Sequence, residues 1–294
     1  MKSKKNNKII LIIEYILVYL IFLFLSILPI NWVSHLGGSI FKIIGPLTNA
    51  NKIAKYNFLK IFPSAKSKEV KKQIAKSWEN LGRTFFELLI LPKIINSQNK
   101  RIFVEGINFL EEIKKNKEQV IFFGIHQSNW EILVPMIDRM GFKVGGIYRH
   151  INNPYINKLI LNQRKKSIAS NNSFYTPKGK KSAKDIVDGI KKNFSIILLV
   201  DQKDTAGEDV VFFNTMTKTQ TGFLKIARKY KMPIIPIQNT RNNLNDFALK
   251  FHAPLKPFKN NLTDKQAMEA IHKTIEEWIK ENPTNWFLQH NRFS

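Results

Sequence analysis

From Ile9 to Leu28 the chain reads IILIIEYILVYLIFLFLSIL, an apolar run with a single charge, Glu14. As a helix at about 1.5 Å per residue it is about 30 Å long, the thickness of a bilayer's hydrocarbon core. A basic leader, MKSKKNNK, precedes it. A cleaved signal peptide would have a shorter apolar part and a small-x-small cleavage site, and SILPINW supplies none. The run is therefore read as a retained membrane helix. Glu14 lies near one end, where a carboxylate reaches the interface or meets a lysine. The leader predicts an internal amino terminus. A second, shorter apolar stretch, WVSHLGGSIFKIIGPL (32–47), follows a turn at Pro29-Ile30-Asn31. As a re-entrant or interfacial helix it keeps the leader and the bulk of the chain on the cytoplasmic side. On this reading residues 1–48 form a membrane anchor and 49–294 a globular domain.

Past residue 50 the pattern changes. Val70, Ile74, Trp78, Leu81, Phe85 and Leu88 recur at spacings of three and four, which predicts an amphipathic helix over 66–91. Short apolar runs then alternate with helical periodicity. The strand candidates are 119–125, 143–149, 195–201, 233–238 and 247–254, with helices near 128–140, 154–167, 180–192, 218–230 and 264–281. Asn153 before Pro154 fits an N-cap with proline at the first helical position, and Thr263 with Gln266 fits a capping box. Pro283 follows the last helix. Alternation of this kind predicts an α/β fold with a mixed, largely parallel sheet flanked by helices.

In open α/β sheets ligands bind beyond the carboxyl ends of the strands. Four candidate strands end in polar residues: His126, Arg149, Asp201 with Gln202, and Arg241. The run FFGIHQSNWEILVP (122–135) holds the sharpest question. Ser128 and Glu131 are spaced as a capping box, which would make Glu131 a structural residue. Alternatively, His126 folds back over the helix start and Glu131 holds one ring nitrogen, leaving the other free to take a proton. A zinc site is disfavoured, because residues five apart on a helix sit about 140° apart. There is no cysteine, so disulfides, thiolate metal sites and a cysteine nucleophile are excluded. The formal net charge of +25 suits an anionic partner. Part of it reflects a compositional bias towards Lys and Asn.

HQSNWE, an H-x-x-x-x-E motif, resembles the acyltransferase motif of the lysophospholipid acyltransferase superfamily. The chain is more specifically similar to the lipid A biosynthesis (lauroyl/myristoyl) acyltransferases, which carry Glu where glycerolipid enzymes usually carry Asp. GGIYRHINNPYINKLI resembles that family's Y-R-P-x-x-N-P segment, with His150 in place of the proline. LLVDQKDTAGEDVVFF resembles its D-Q block, and TQTGFLKIARKYKMPIIPI its T-x-G and P-I-I-P segment. NPTNWFLQHNRF resembles the terminal W-x-x-H-x-R-F signature, with two residues rather than one after the first aromatic. The resemblance covers nearly the whole chain.

The resemblance implies transfer of a fatty acyl group from acyl carrier protein to a hydroxyl of an anionic lipid A precursor, at the inner membrane, with no cofactor and no metal. It implies His126 as general base oriented by Glu131, and attack by the acceptor hydroxyl without an acyl-enzyme. Arg149 and Arg164 would bind phosphate or an acidic sugar's carboxylate, although Arg164 also suits a helix C-terminus. Asp201 and Gln202 match a family block and serve either substrate binding or the strand end; Arg241 is a weaker candidate. Another lipid acceptor, a lysophospholipid, glycerol phosphate or glycolipid, is the nearest alternative, although the glycerolipid enzymes' F-P-E-G motif is absent. A membrane-anchored nucleic-acid or anionic-lipid binder is the alternative from another class. No aromatic-interleaved basic stripe is present, so no nucleic acid is expected.

Overall fold

The computed structural model describes residues 2–170, 172–242, 246–257 and 261–293. Its helices are α1 (Lys2–Ile27), α2 (Ile30–Ile44), α3 (Ala50–Ile61), α4 (Ser67–Leu89), α5 (Leu91–Asn96), α6 (Gln98–Arg101), α7 (Ile107–Lys115), α8 (Leu133–Arg139), α9 (Pro154–Ser167), α10 (Lys180–Lys191), α11 (Gly222–Tyr230) and α12 (Asp264–Glu281). Its strands are β1 (Ile102–Glu105), β2 (Ile121–Gly124), β3 (Val144–Tyr148), β4 (Phe174–Pro177), β5 (Ser195–Leu199), β6 (Lys203–Phe212), β7 (Thr215–Thr219), β8 (Ile234–Asn242) and β9 (Asp246–Phe251).

A seven-stranded sheet runs β1-β9-β8-β2-β5-β3-β4. Only β8 and β9 pair antiparallel; the other pairings in this sheet are parallel. Parallel strands need covered faces, and β2, whose residues 121–124 are all buried, has apolar side chains pointing both ways. Ile121 and Phe123 join a core with residues of α3, α4, α10 and α12, whereas Phe122 joins another with residues of α5, α7 and α8. The fold is thus the expected α/β arrangement, a mostly parallel sheet flanked by helices. β6 and β7 form a separate antiparallel hairpin.

Several expected boundaries hold and others move. α9 and α12 begin at their expected caps: Asn153 Oδ1 accepts from the amides of Tyr155 and Ile156, and Thr263 Oγ1 from that of Gln266. The helix expected near 218–230 starts at Gly222, because 215–219 is the second strand of the hairpin. The helix expected near 128–140 is a single 3-10 turn, Trp130–Ile132, followed by α8. No Ser128 capping box forms: Ser128 has φ +52° and its hydroxyl is buried without a partner, and Asn129 Oδ1 accepts from the Glu131 amide at 3.1 Å instead.

Within α1, Lys8–Ile27 is, among the described residues, the one helix long and apolar enough to cross a membrane. Glu14, expected to reach the interface or meet a lysine, accepts through Oε2 from Asn153 Nδ2 at 3.0 Å, at the start of α9. α2 packs along α4 through facing glycines. A Cβ on Gly37 would come within 2.5 Å of the Gly82 carbonyl oxygen, and one on Gly82 within 2.2 Å of that of Gly37. Only glycine at both positions allows that crossing.

Candidate active site

β2 and β5 lie side by side with Gly124 opposite Leu199. Continuing that register by two residues on each strand brings His126 abreast of Asp201. Asp201 Oδ1 accepts from the His126 amide at 3.1 Å and lies 2.8 Å from its Nδ1; Oδ2 accepts from Trp286 Nε1 at 2.8 Å. Burial alone would raise the Asp201 carboxyl, but the His126 charge and these hydrogen bonds hold it below its ordinary value. An ionised Asp201 at Nδ1 keeps the proton on that nitrogen. Nε2 is then the acceptor, and Gln202 Nε2 donates to it at 3.2 Å. Trp130 and Phe287 flank the imidazole, with ring centroids 5.1 and 6.2 Å away.

The loop carrying His126 is held from two sides. The terminal segment supplies backbone: Phe287 N–H donates to His126 O at 2.9 Å, and Ser128 N–H to Asn285 O at 2.7 Å. Below it, Asn129 Nδ2 donates to Glu87 Oε2, Glu87 accepts from Ser34 Oγ on α2, and Asn239 Nδ2 donates to Asn129 O. Arg241 closes this buried network with a bidentate pair to Glu87 at 2.7 and 2.9 Å. Burial opposes ionisation of Glu87, and the Arg241 charge together with the hydrogen bonds from Arg241, Ser34 and Asn129 more than offsets it, leaving the carboxyl below its ordinary value.

The expected partner of His126 is corrected here. Glu131 does not hold the imidazole; its carboxylate takes Arg164 Nε and Nη2, each at 2.7 Å, in a buried fork. The positive φ at Ser128 and the tight 130–132 turn replace the continuous helix start over which His126 was expected to fold back. Arg164, in the last turn of α9 as its helix-end reading expected, is braced against Glu131. It is 7% exposed and spends two nitrogens on Glu131. Arg241 is in the buried network rather than at the site. Arg149 is exposed at the rim.

A cavity of about 640 Å³ opens beside His126. His126, Glu131, Arg149, Arg164 and Gln202 all line it, with Asp201 behind the imidazole. The rest of the wall is largely aromatic and aliphatic, including Phe85, Leu88, Leu133, Val134, Ile197 and Phe287. The arrangement offers a base whose acceptor nitrogen faces a cavity able to take a hydrocarbon chain. Sequence reasoning missed Asn129, Glu87 and Asn239, which fix the loop, and Trp286, which holds Asp201. Trp286 had a signal in its terminal signature. Glu87 had another: it shares a face of α4 with Asn80 and Arg83, an unusual density of polar groups for a buried face.

A family model described as bacterial lipid A biosynthesis acyltransferase matches residues 2–294. Among curated proteins the chain is similar to lipid A biosynthesis acyltransferase 2 of Shigella flexneri, with 22% identity over 199 residues. That match covers 65% of this chain and 60% of the relative's length. Among solved structures, the 1-acyl-sn-glycerophosphate acyltransferase of Thermotoga maritima aligns with a TM-score of 0.40 at 14% identity, covering 86% of this chain and 97% of that one.

Proposed function

This chain belongs to the bacterial lipid A biosynthesis acyltransferase family, and on that premise we propose that it moves a fatty acyl chain from acyl carrier protein to a hydroxyl of a lipid A precursor. The observation that carries the reading is the His126 imidazole, with Nδ1 against buried Asp201 and Nε2 turned to the chain-sized cavity. The acceptor hydroxyl takes the place of Gln202 at Nε2. As its oxygen attacks the thioester carbonyl, the imidazole accepts its proton and Asp201 stabilises the imidazolium. The tetrahedral intermediate collapses with loss of thiolate, which takes the proton back from Nε2. The Gln202 carboxamide, displaced from Nε2, is a donor beside the developing oxyanion. The chain has no cysteine, which suits direct transfer without a thioester to the enzyme.

Residues 1–48 serve as the membrane anchor and 49–294 as the acyltransferase domain. α1 enters the bilayer without emerging on the far side, and α2 lies at the interface, where its exposed Trp32, Leu36 and Ile43 face the lipid. With the basic leader inside, the cavity opens on the cytoplasmic face of the inner membrane, where carrier protein is present. The strongly basic chain suits both an acidic carrier protein and a phosphorylated lipid, and Arg149 at the cavity rim meets the acceptor's phosphate.

The test is to incubate membranes holding the protein with a panel of acyl carrier thioesters and lipid A precursors and weigh the products. Acylated lipid A precursor is expected. Acylated lysophospholipid in its place would redirect the acceptor, and no acylated product with any pair would sink the reading.

A further inference from the structure

Behind the His126 loop lies an arginine that the transfer mechanism does not use. Arg292 is fully buried. Its Nη1 donates to Lys218 O at 3.3 Å and its Nη2 to Thr219 Oγ1 at 2.8 Å, on the last strand of the hairpin. Its Nη2 also points at His272 Nε2, 3.4 Å away. That imidazole, pushed down by burial to about 4, is neutral at neutral pH. Among the described residues no carboxylate forms an ion pair with Arg292. A charge taken out of water with no anion against it is costly, so the matching charge has to come from further off.

The contacts lead to Asp201. Arg292 Cζ lies 4.8 Å over the face of Phe212, Phe212 packs edge-on against Trp286 at 6.2 Å, and Trp286 Nε1 donates to Asp201 Oδ2 at 2.8 Å. Both rings are buried, so the field between guanidinium and carboxylate passes through side chains and is little screened by solvent. Burial pushes the Arg292 guanidinium down to about 10, and the Asp201 charge opposes that fall.

This matters for the base. An imidazole beside a buried carboxylate with no other cation near it would hold a proton at rest, as half of an ion pair. Its Nε2 would then be a donor, unable to accept from a hydroxyl. With Arg292 in place the Asp201 charge is already matched, and a proton on His126 leaves the cluster with an excess positive charge. We propose that Arg292 is a positioning residue whose buried charge keeps His126 unprotonated until an acceptor hydroxyl gives up its proton. The proposal rests on the reading of His126 as general base and names what keeps that base available.

The test reads proton uptake by His126 itself, by NMR of the histidine-labelled full chain in detergent, with the resonance assigned through His126→Gln. Arg292→Gln removes the charge and keeps a donor for Lys218 O or Thr219 Oγ1. Thr219→Asp keeps Arg292 and sets a carboxylate against it. Thr219→Val removes a hydrogen bond and keeps the charge unmatched locally. The other charged and titratable groups around the imidazole, Asp201, His290, Arg149 and the Glu131–Arg164 pair, are the same in all three. His126 should take up its proton at a pH about half a unit higher in Arg292→Gln than in wild type. Thr219→Asp should move it in the same direction, and Thr219→Val should leave it in place while lowering the thermal midpoint. An arginine that only ties the terminal segment to the hairpin would lower the midpoint and leave the titration where it is, and that result overturns the proposal. Should Arg292→Gln not fold, Thr219→Asp decides. Because turnover is not read, the two proposals fail separately. A titration that follows the Arg292 charge stands without acyl transfer, and acyl transfer with a titration indifferent to that charge sinks only the role of Arg292.

Discussion

Two acids, Asp201 buried and Glu131 half-buried, line up on either side of the site, and they are used differently. Asp201 faces an imidazole, and Glu131 faces a guanidinium. Both carboxylates follow strands or turns at the same sheet edge, both are nearly enclosed, and each has a basic partner within 2.8 Å. The difference is what the partner can give up. An imidazole can lose and regain its proton at working pH, whereas a guanidinium cannot. Asp201–His126 is therefore a pair that can pass a proton, and Glu131–Arg164 a fixed brace that shapes the cavity beside it.

The comparison predicts distinct failures. His126→Ala should lower acyl transfer about 100- to 10,000-fold with folding and membrane association intact; wild-type-like turnover of the purified variant would break the assignment. Glu131→Gln should act first on stability, because it strands the Arg164 charge. Breaking a buried pair from one side costs about 3–5 kcal/mol, readable as a fall in the thermal midpoint in detergent. The double variant Glu131→Gln with Arg164→Met should recover much of that loss, whereas an equal loss would show that the pair is more than a brace. Asp201→Asn should cut kcat roughly 100-fold and reshape the pH profile, since its amide cannot stabilise an imidazolium. The profile of Glu131→Gln should keep the wild-type shape, and the contrast between the two is the sharpest check.

The same distinction extends to His272, buried beside Arg292 and bonded through Nδ1 to Val211 O at 2.7 Å. Burial pushes His272 down to about 4, while in the unfolded chain it titrates at about 6.5. Between those values the unfolded state binds the extra proton, so stability falls as pH falls. From neutral pH to about pH 5 the His272 share of the loss should be on the order of 2 kcal/mol, seen as a falling thermal midpoint that His272→Gln makes shallower, His290 being pushed down by burial to about 4 as well. The smallest effect belongs to Arg149→Ala. Its side chain is exposed, so a few-fold rise in acceptor KM with little change in kcat is expected.

What the sequence disclosed and what it hid differ in range. α9 and α12 were legible because caps and periodicity are local. β1 and β4, four residues each, carry too little pattern to stand out from charged surroundings. The polar strand KDTAGEDVVF gives no alternation to separate it from a loop. The place of His126 just past the end of β2 was legible, but the carboxylate it meets was not. Glu131 is near in sequence, whereas Asp201 comes beside it only because β2 and β5 are adjacent, and strand order is a property of the whole sheet. Glu87 and Arg241 meet across 154 residues, which no local pattern reports.

The backbone bonds from Asn285 and Phe287 to the His126 loop also set a timetable during synthesis. The histidine leaves the ribosome well before its clamp does, and the intervening chain includes the whole of β5, β8, β9 and α12. Until the segment through Phe287 emerges, the base has no fixed rim to rest against. A premature stop shortly before Trp286 should therefore leave a chain whose His126 loop lacks the Phe287 bond.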